Sequence, residues 1–130
     1  MRVDKSFLLT SLIFAITGMG LGLHMGLSGH HEQHVTHAHI LLVGAVFSFI
    51  HAVTHRLWLK DVSASWAKLH FSIHTIGAIG MSAGLWLMFG RVLSEPQIGP
   101  ILGLSGLLVL VGVLMSFFKL LRHFGTAGSA

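Results

Sequence analysis

Residues 33–58 read QHVTHAHILLVGAVFSFIHAVTHRLW, and how much of this stretch crosses a bilayer decides the fold. Its uninterrupted apolar core, Ile40 to Ile50, is too short to span a hydrocarbon layer about 30 Å thick, which takes about 20 helical residues. The helix reaches across only if it also takes in His37, His39, His51 and His55. Those imidazoles then lie inside or at the edge of the hydrocarbon, where an ionisable ring is costly unless it is neutral and partnered.

Working outward, apolar runs flank this segment on both sides: residues 7–28 before it, and 66–90 and 100–121 after it. Together with 33–58 they predict an all-α, integral membrane four-helix bundle, a single domain over 1–130. Pro96, Gly99 and Pro100 mark the predicted turn between the last two spans. Of the residues, 53% are hydrophobic and 9% charged, far from the roughly 25% charged content of a soluble domain. The apolar start after MRVDKS reads as a retained helix, because no small-x-small cleavage site follows it cleanly.

The net charge of +4 does not point to nucleic acid, since the basic residues form no patch. Arg2, Lys5, Arg56, Lys60, Lys68, Lys119 and Arg122 fall on one side of the predicted spans and only Arg91 on the other. The positive-inside rule therefore predicts both termini inside, N-in/C-in, in a bacterial inner membrane, with the His-rich loop on the outer face. Gly18, Gly22 and Gly26 in the first span, and Gly80 and Gly84 in the third, form small-residue ridges that predict tight packing or a homo-oligomer.

There are eleven histidines and no cysteine, so imidazole is the candidate ligand. At 100° per residue, His30, His34, His37, His51 and His55 fall on one face of an extended second helix, with Gly44 and Ser48 as a smooth strip where a flat macrocycle could lie. His39 points nearly the opposite way. His51 and His55 share the i,i+4 spacing of His70 and His74, and antiparallel neighbours would bring all four to one depth, where they could supply a four-nitrogen metal site or an axial haem pair with hydrogen-bonding companions. His24 is placed to approach His37 or His39. The loop histidines His30, His31 and His34 are either solvated or a copper, zinc or nickel site. His123 reads as interfacial.

The segment His37-Ala38-His39-Ile40-Leu41-Leu42-Val43-Gly44 resembles the His-x-His helix of the heme-copper oxidase superfamily, subunit I, nitric oxide reductase branch. HFSIHTIGAIGMSAG, residues 70–84, looks like the next helix of that subunit. The resemblance implies haem b, with His37 ligating the high-spin haem and His39 the low-spin haem. It also implies that this chain corresponds to one four-helix arc of a three-arc subunit, which a homotrimer would rebuild. The family's three copper-ligating histidines and the helix carrying the low-spin haem's second ligand have no counterpart here, unless His24 or a neighbouring subunit supplies that ligand. The expectation is therefore haem binding for electron transfer or diatomic gas binding, with an unidentified redox partner, rather than independent reduction of oxygen or nitric oxide. The alternatives are a histidine-based copper-, zinc- or nickel-handling membrane protein and an assembly subunit whose histidines are incidental.

Overall fold

The computed structural model describes residues 1–127 and is all-α; among the described residues there are four helices and no strand. They are α1 (Val3–Ser28), α2 (His34–Leu57), α3 (Ala64–Phe89) and α4 (Glu95–Ala127), and each is long and apolar enough to cross a membrane.

Local chemistry sets the ends. Gly29, at φ 73°, closes α1 in the left-handed conformation that glycine adopts without strain, its N–H donating to the Met25 carbonyl. Ser63 caps α3 by accepting from the Trp66 N–H at 3.3 Å. Before α4, the Ser94 N–H donates to Gln97 Oε1 at 2.9 Å, the reciprocal half of a capping box. This cap starts α4 at Glu95, so the expected turn over Pro96–Pro100 is instead the first turns of the helix. Pro96 is tolerated there because the N–H groups of a helix's first turn have no intrahelical acceptor, whereas Pro100 lies inside the helix and removes one N–H from its ladder. The connection shortens to residues 90–94, and Arg91 takes a left-handed φ of 57° within it.

α1 runs antiparallel to α2: Ser11 meets Ala45, Gly18 meets Leu41 and Gly22 meets His37. α3 and α4 form a second antiparallel pair, in which a Cβ on Gly77 would lie 2.9 Å from the Ser105 carbonyl oxygen and 2.9 Å from the Val109 nitrogen. The two pairs join mainly through α2 and α3, and α2 is the most enclosed of the four helices. Asp4 pairs with Arg56, and Trp58 packs edge-on against Phe124. The amino-terminal end of α1, the α2–α3 loop and the end of α4 therefore share one end of the bundle.

The outside of the bundle is apolar, and polar side chains share its interior with apolar ones. Leu12, Ile13, Ile16, Leu104, Leu107 and Phe117 are exposed, whereas Ser11, Thr36, Ser48, Ser105 and Ser116 are buried. That distribution suits a solvent of lipid tails, in which association relies on close packing and interhelical hydrogen bonds. Ser11 illustrates the second device, donating to the Ala45 carbonyl at 2.9 Å.

Within α2, residues Ile40–Val46 form a π-helical segment. Its wider turns rotate the chain less per residue than an α-helix does. The face on which sequence spacing lined up His30, His34, His37, His51 and His55 is consequently broken. His37 turns onto α1, while His51 and His55 turn into the bundle interior. The Gly44 strip is filled as well: a Cβ there would collide with the Phe14 ring, which occupies the space expected for a macrocycle.

Candidate functional site

His37 and His39 stand near the opposite end of α2 from its termini-bearing end. Both are half-buried. His37 Nδ1 donates to the Gly18 carbonyl at 2.7 Å, and His39 Nδ1 donates to the Val35 carbonyl, one turn back, at 2.9 Å. A carbonyl only accepts, so each bond places the ring proton on Nδ1 and leaves Nε2 as the lone-pair nitrogen. Gly22 makes the His37 position available, because a Cβ at residue 22 would come within 2.6 Å of the imidazole. This is the arrangement by which proteins orient a ligating histidine, with the distal N–H held by a backbone acceptor.

The remaining outer histidines are not assembled with this pair. His24 is exposed on α1 and makes no hydrogen bond to His37 or His39; the partner His37 finds on α1 is the Gly18 carbonyl. In the loop, His31 Nδ1 bonds to the Gly29 carbonyl at 2.9 Å, His34 Nδ1 bonds to the His31 carbonyl at 3.0 Å, and His30 pairs with Glu32 at 3.5 Å. All three are exposed and each ring serves its own stretch of backbone or a neighbour. Glu32 itself is held below the usual carboxylate range, chiefly by a backbone hydrogen bond and, after an opposing desolvation effect, by His30. Among the described residues, no three histidine or carboxylate side chains are placed to hold a metal ion.

At the termini-bearing end, the structure brings His51, His55, His70 and His74 together at one depth, as the paired i,i+4 spacings predict. All four are buried, and His70 and His74 are fully enclosed. They engage one another and the bundle rather than converge on a common centre. His55 Nε2 bonds to His70 Nδ1 at 2.9 Å, and His70 Nε2 bonds to the Gly112 carbonyl at 3.0 Å and to Ser116 Oγ at 3.3 Å. Ser116 Oγ bonds to His51 Nδ1 at 3.0 Å, and His74 Nε2 meets Ser48 Oγ at 3.2 Å. The His51 ring stands edge-on to both His70 and His74, with centroids 4.5 and 4.6 Å away. Phe7 of α1, with no exposed surface, contacts all four rings at centroid distances of 5.1 to 6.0 Å.

Three contributors were not singled out from sequence. Ser116 falls within the predicted apolar span 100–121, where a hydroxyl is itself a signal that some buried polar group needs it. Phe7 carried no signal beyond hydrophobicity. Asp4 precedes the predicted span 7–28, yet α1 begins at Val3, so Asp4 is buried in its first turn, 3.2 Å from Arg2 and 3.6 Å from Arg56. Comparison with known protein families, curated proteins and solved structures finds no match.

Proposed function

We propose that this chain is a b-type haem-binding membrane protein in which His37 and His39 are the axial ligands. The observation that carries the reading is the paired tautomer: both rings give Nδ1–H to a backbone carbonyl and keep Nε2 free. Two imidazoles pre-oriented in this way lose little freedom on ligation, and a neutral imidazole is a common axial donor to haem iron. The donor set thus fits haem, and the His-x-His resemblance to the heme-copper oxidase superfamily supports the same assignment.

Phe14 fills the Gly44 strip, so a macrocycle on either ring would rest against the outer part of the bundle, and a second copy of the chain would complete its enclosure. This is the basis for proposing a homo-oligomer, with a homotrimer favoured by the three-arc likeness. Haem, when bound, would supply one-electron redox chemistry or a site for a diatomic gas. The protein's part is to fix the ring orientation and keep water from the iron. Seven of the eight basic residues lie toward the termini-bearing end, so that end is proposed to face the cytoplasm of a bacterial inner membrane.

The test is the absorption spectrum of protein purified after expression with adequate haem, oxidised and then reduced with dithionite. A Soret band that is lost in the His37→Ala, His39→Ala double variant supports the proposal. A colourless protein, or a haem spectrum indifferent to both substitutions, refutes it.

A further inference from the structure

The buried histidines of the inner cluster have hydrogen-bond partners that run in one direction. The Gly112 carbonyl can only accept, so His70 Nε2 carries the ring proton and His70 Nδ1 is bare. His55 must then donate through Nε2 to His70 Nδ1. Ser116 Oγ lies within reach of His70 Nε2–H and also of His51 Nδ1, so its own proton is free to point to His51. That leaves the His51 proton on Nε2, a buried nitrogen with no hydrogen-bond partner. The adjacent ring, His74, has its own buried unpartnered nitrogen, Nδ1, while its Nε2 engages Ser48.

The sequence of donors begins at water-accessible space. His55 lines a cavity of about 200 Å³ at the termini-bearing end, together with Asp4, Lys60, Ala67 and Lys68. Its Nε2 is committed to His70, so Nδ1 is the nitrogen left for water in that cavity. The charged groups around this mouth are Asp4 with Arg2 and Arg56, then Lys60 and Lys68; Lys119 of α4 lies over the Trp66 ring at 5.3 Å, and Trp66 in turn packs on His55 and His70. On the inner side, Phe7 and Phe71 supply only apolar surface.

We propose that His55, His70, Ser116 and His51 form a proton relay that carries a proton from the cavity beside Asp4 to His51 inside the bundle. A proton from cavity water binds His55 Nδ1, and His55 Nε2–H passes to His70 Nδ1. His70 Nε2–H passes to Ser116 Oγ as the Ser116 proton moves to His51 Nδ1. The proton comes to rest on His51, which then carries Nδ1–H beside the Nε2–H that no neighbour accepts. One proton enters and one arrives; His55 and His70 are each left with their proton on Nδ1, Ser116 regains its own, and no electron moves. Histidine suits the task because each ring can hold a proton on one nitrogen while it releases another from the second, and histidine chains serve as proton paths in membranes. His55 to His51 is four residues, so the relay reaches about 6 Å along the bundle. It uses neither His37 nor His39, and so is independent of haem ligation.

The test is solvent exchange of the imidazole N–H protons, followed by NMR of the full-length protein with ¹⁵N-labelled histidine after transfer to deuterium oxide. The relay predicts protons on Nε2 of His55, His70 and His51, and exchange at buried His51. Ser116→Ala should slow exchange at His51 by about tenfold or more while His70 keeps its rate. His55→Phe should slow both. Ser116→Thr retains the hydroxyl and should restore exchange at His51. A His70 proton found on Nδ1 would overturn the proposal, as would a His51 rate unchanged in Ser116→Ala. If the His55 variant does not fold, the Ser116 pair decides the matter alone.

Discussion

Replacing Gly77 with alanine should separate α3 from α4, and the structure sets the size of the effect. The new Cβ would lie 2.9 Å from the Ser105 carbonyl oxygen, 2.9 Å from the Val109 nitrogen and 3.0 Å from the Leu108 Cβ. Two of these are backbone atoms, which cannot swing aside, so the helices must part by roughly 0.5 Å to reach ordinary contact. A gap of that size forfeits about a quarter of each contact of 0.1–0.2 kcal/mol, or roughly 1.5 kcal/mol over some 40 atom pairs, within the 1–3 kcal/mol usual for overpacking. Alanine returns up to about 0.5–1 kcal/mol through helix propensity. Gly103, around which a Cβ would meet nothing within 4 Å, supplies the control because its alanine variant gains propensity without the clash. The two variants should therefore differ by about 1.5–2 kcal/mol, with Gly77→Ala the less stable. Equilibrium unfolding in mixed detergent micelles, followed by circular dichroism, measures the difference. Equal stabilities, within about 0.5 kcal/mol, would refute the backbone contact between α3 and α4. His70 reaches Gly112 across the same interface at 3.0 Å, so its N–H should also exchange faster in Gly77→Ala.

Ser11→Ala removes the donor that satisfies the Ala45 carbonyl in the π-helical segment; a loss of about 0.6–1.7 kcal/mol is expected in the same unfolding assay, and no change would mean that the carbonyl finds another partner. Glu32 should titrate below the ordinary carboxylate range, as read by carboxyl ¹³C shifts, and His30→Ala should recover only part of that shift because the backbone hydrogen bond is the larger cause. A depressed carboxylate contributes stability above its unfolded pKa and loses it as pH falls through the lower folded value, so any Glu32 contribution should fade only on the acid side of the usual range. Full recovery on removing His30 would contradict the ranking of causes.

The histidine cluster shows how far local spacing carries. His51 and His55 on one helix, and His70 and His74 on the next, share the i,i+4 interval, and antiparallel neighbours with a short loop have little choice but to bring them level. That meeting was readable. What the rings do there was not, because it depends on Gly112 and Ser116, which lie some 40 residues further along and say nothing locally about a partner. The outer pair shows the same division. His37 and His39 were visible as intramembrane imidazoles, but the carbonyl holding His37 belongs to another helix, and Gly22 makes room for the ring only in the folded bundle.

Composition and hydrophobic run lengths determined the four spans, since a bilayer rewards apolar length directly and needs no tertiary information to do so. The placement of lysine and arginine along the chain grouped the basic residues at one end for the same reason. Tertiary structure decided the rest: the wider turns of Ile40–Val46 rotated His51 and His55 away from the face that regular helical periodicity assigned them, and Phe14 closed the strip below. Periodicity assumes one constant rotation per residue, whereas the rotation a buried helix adopts follows from which neighbours accept its carbonyls and fill its grooves.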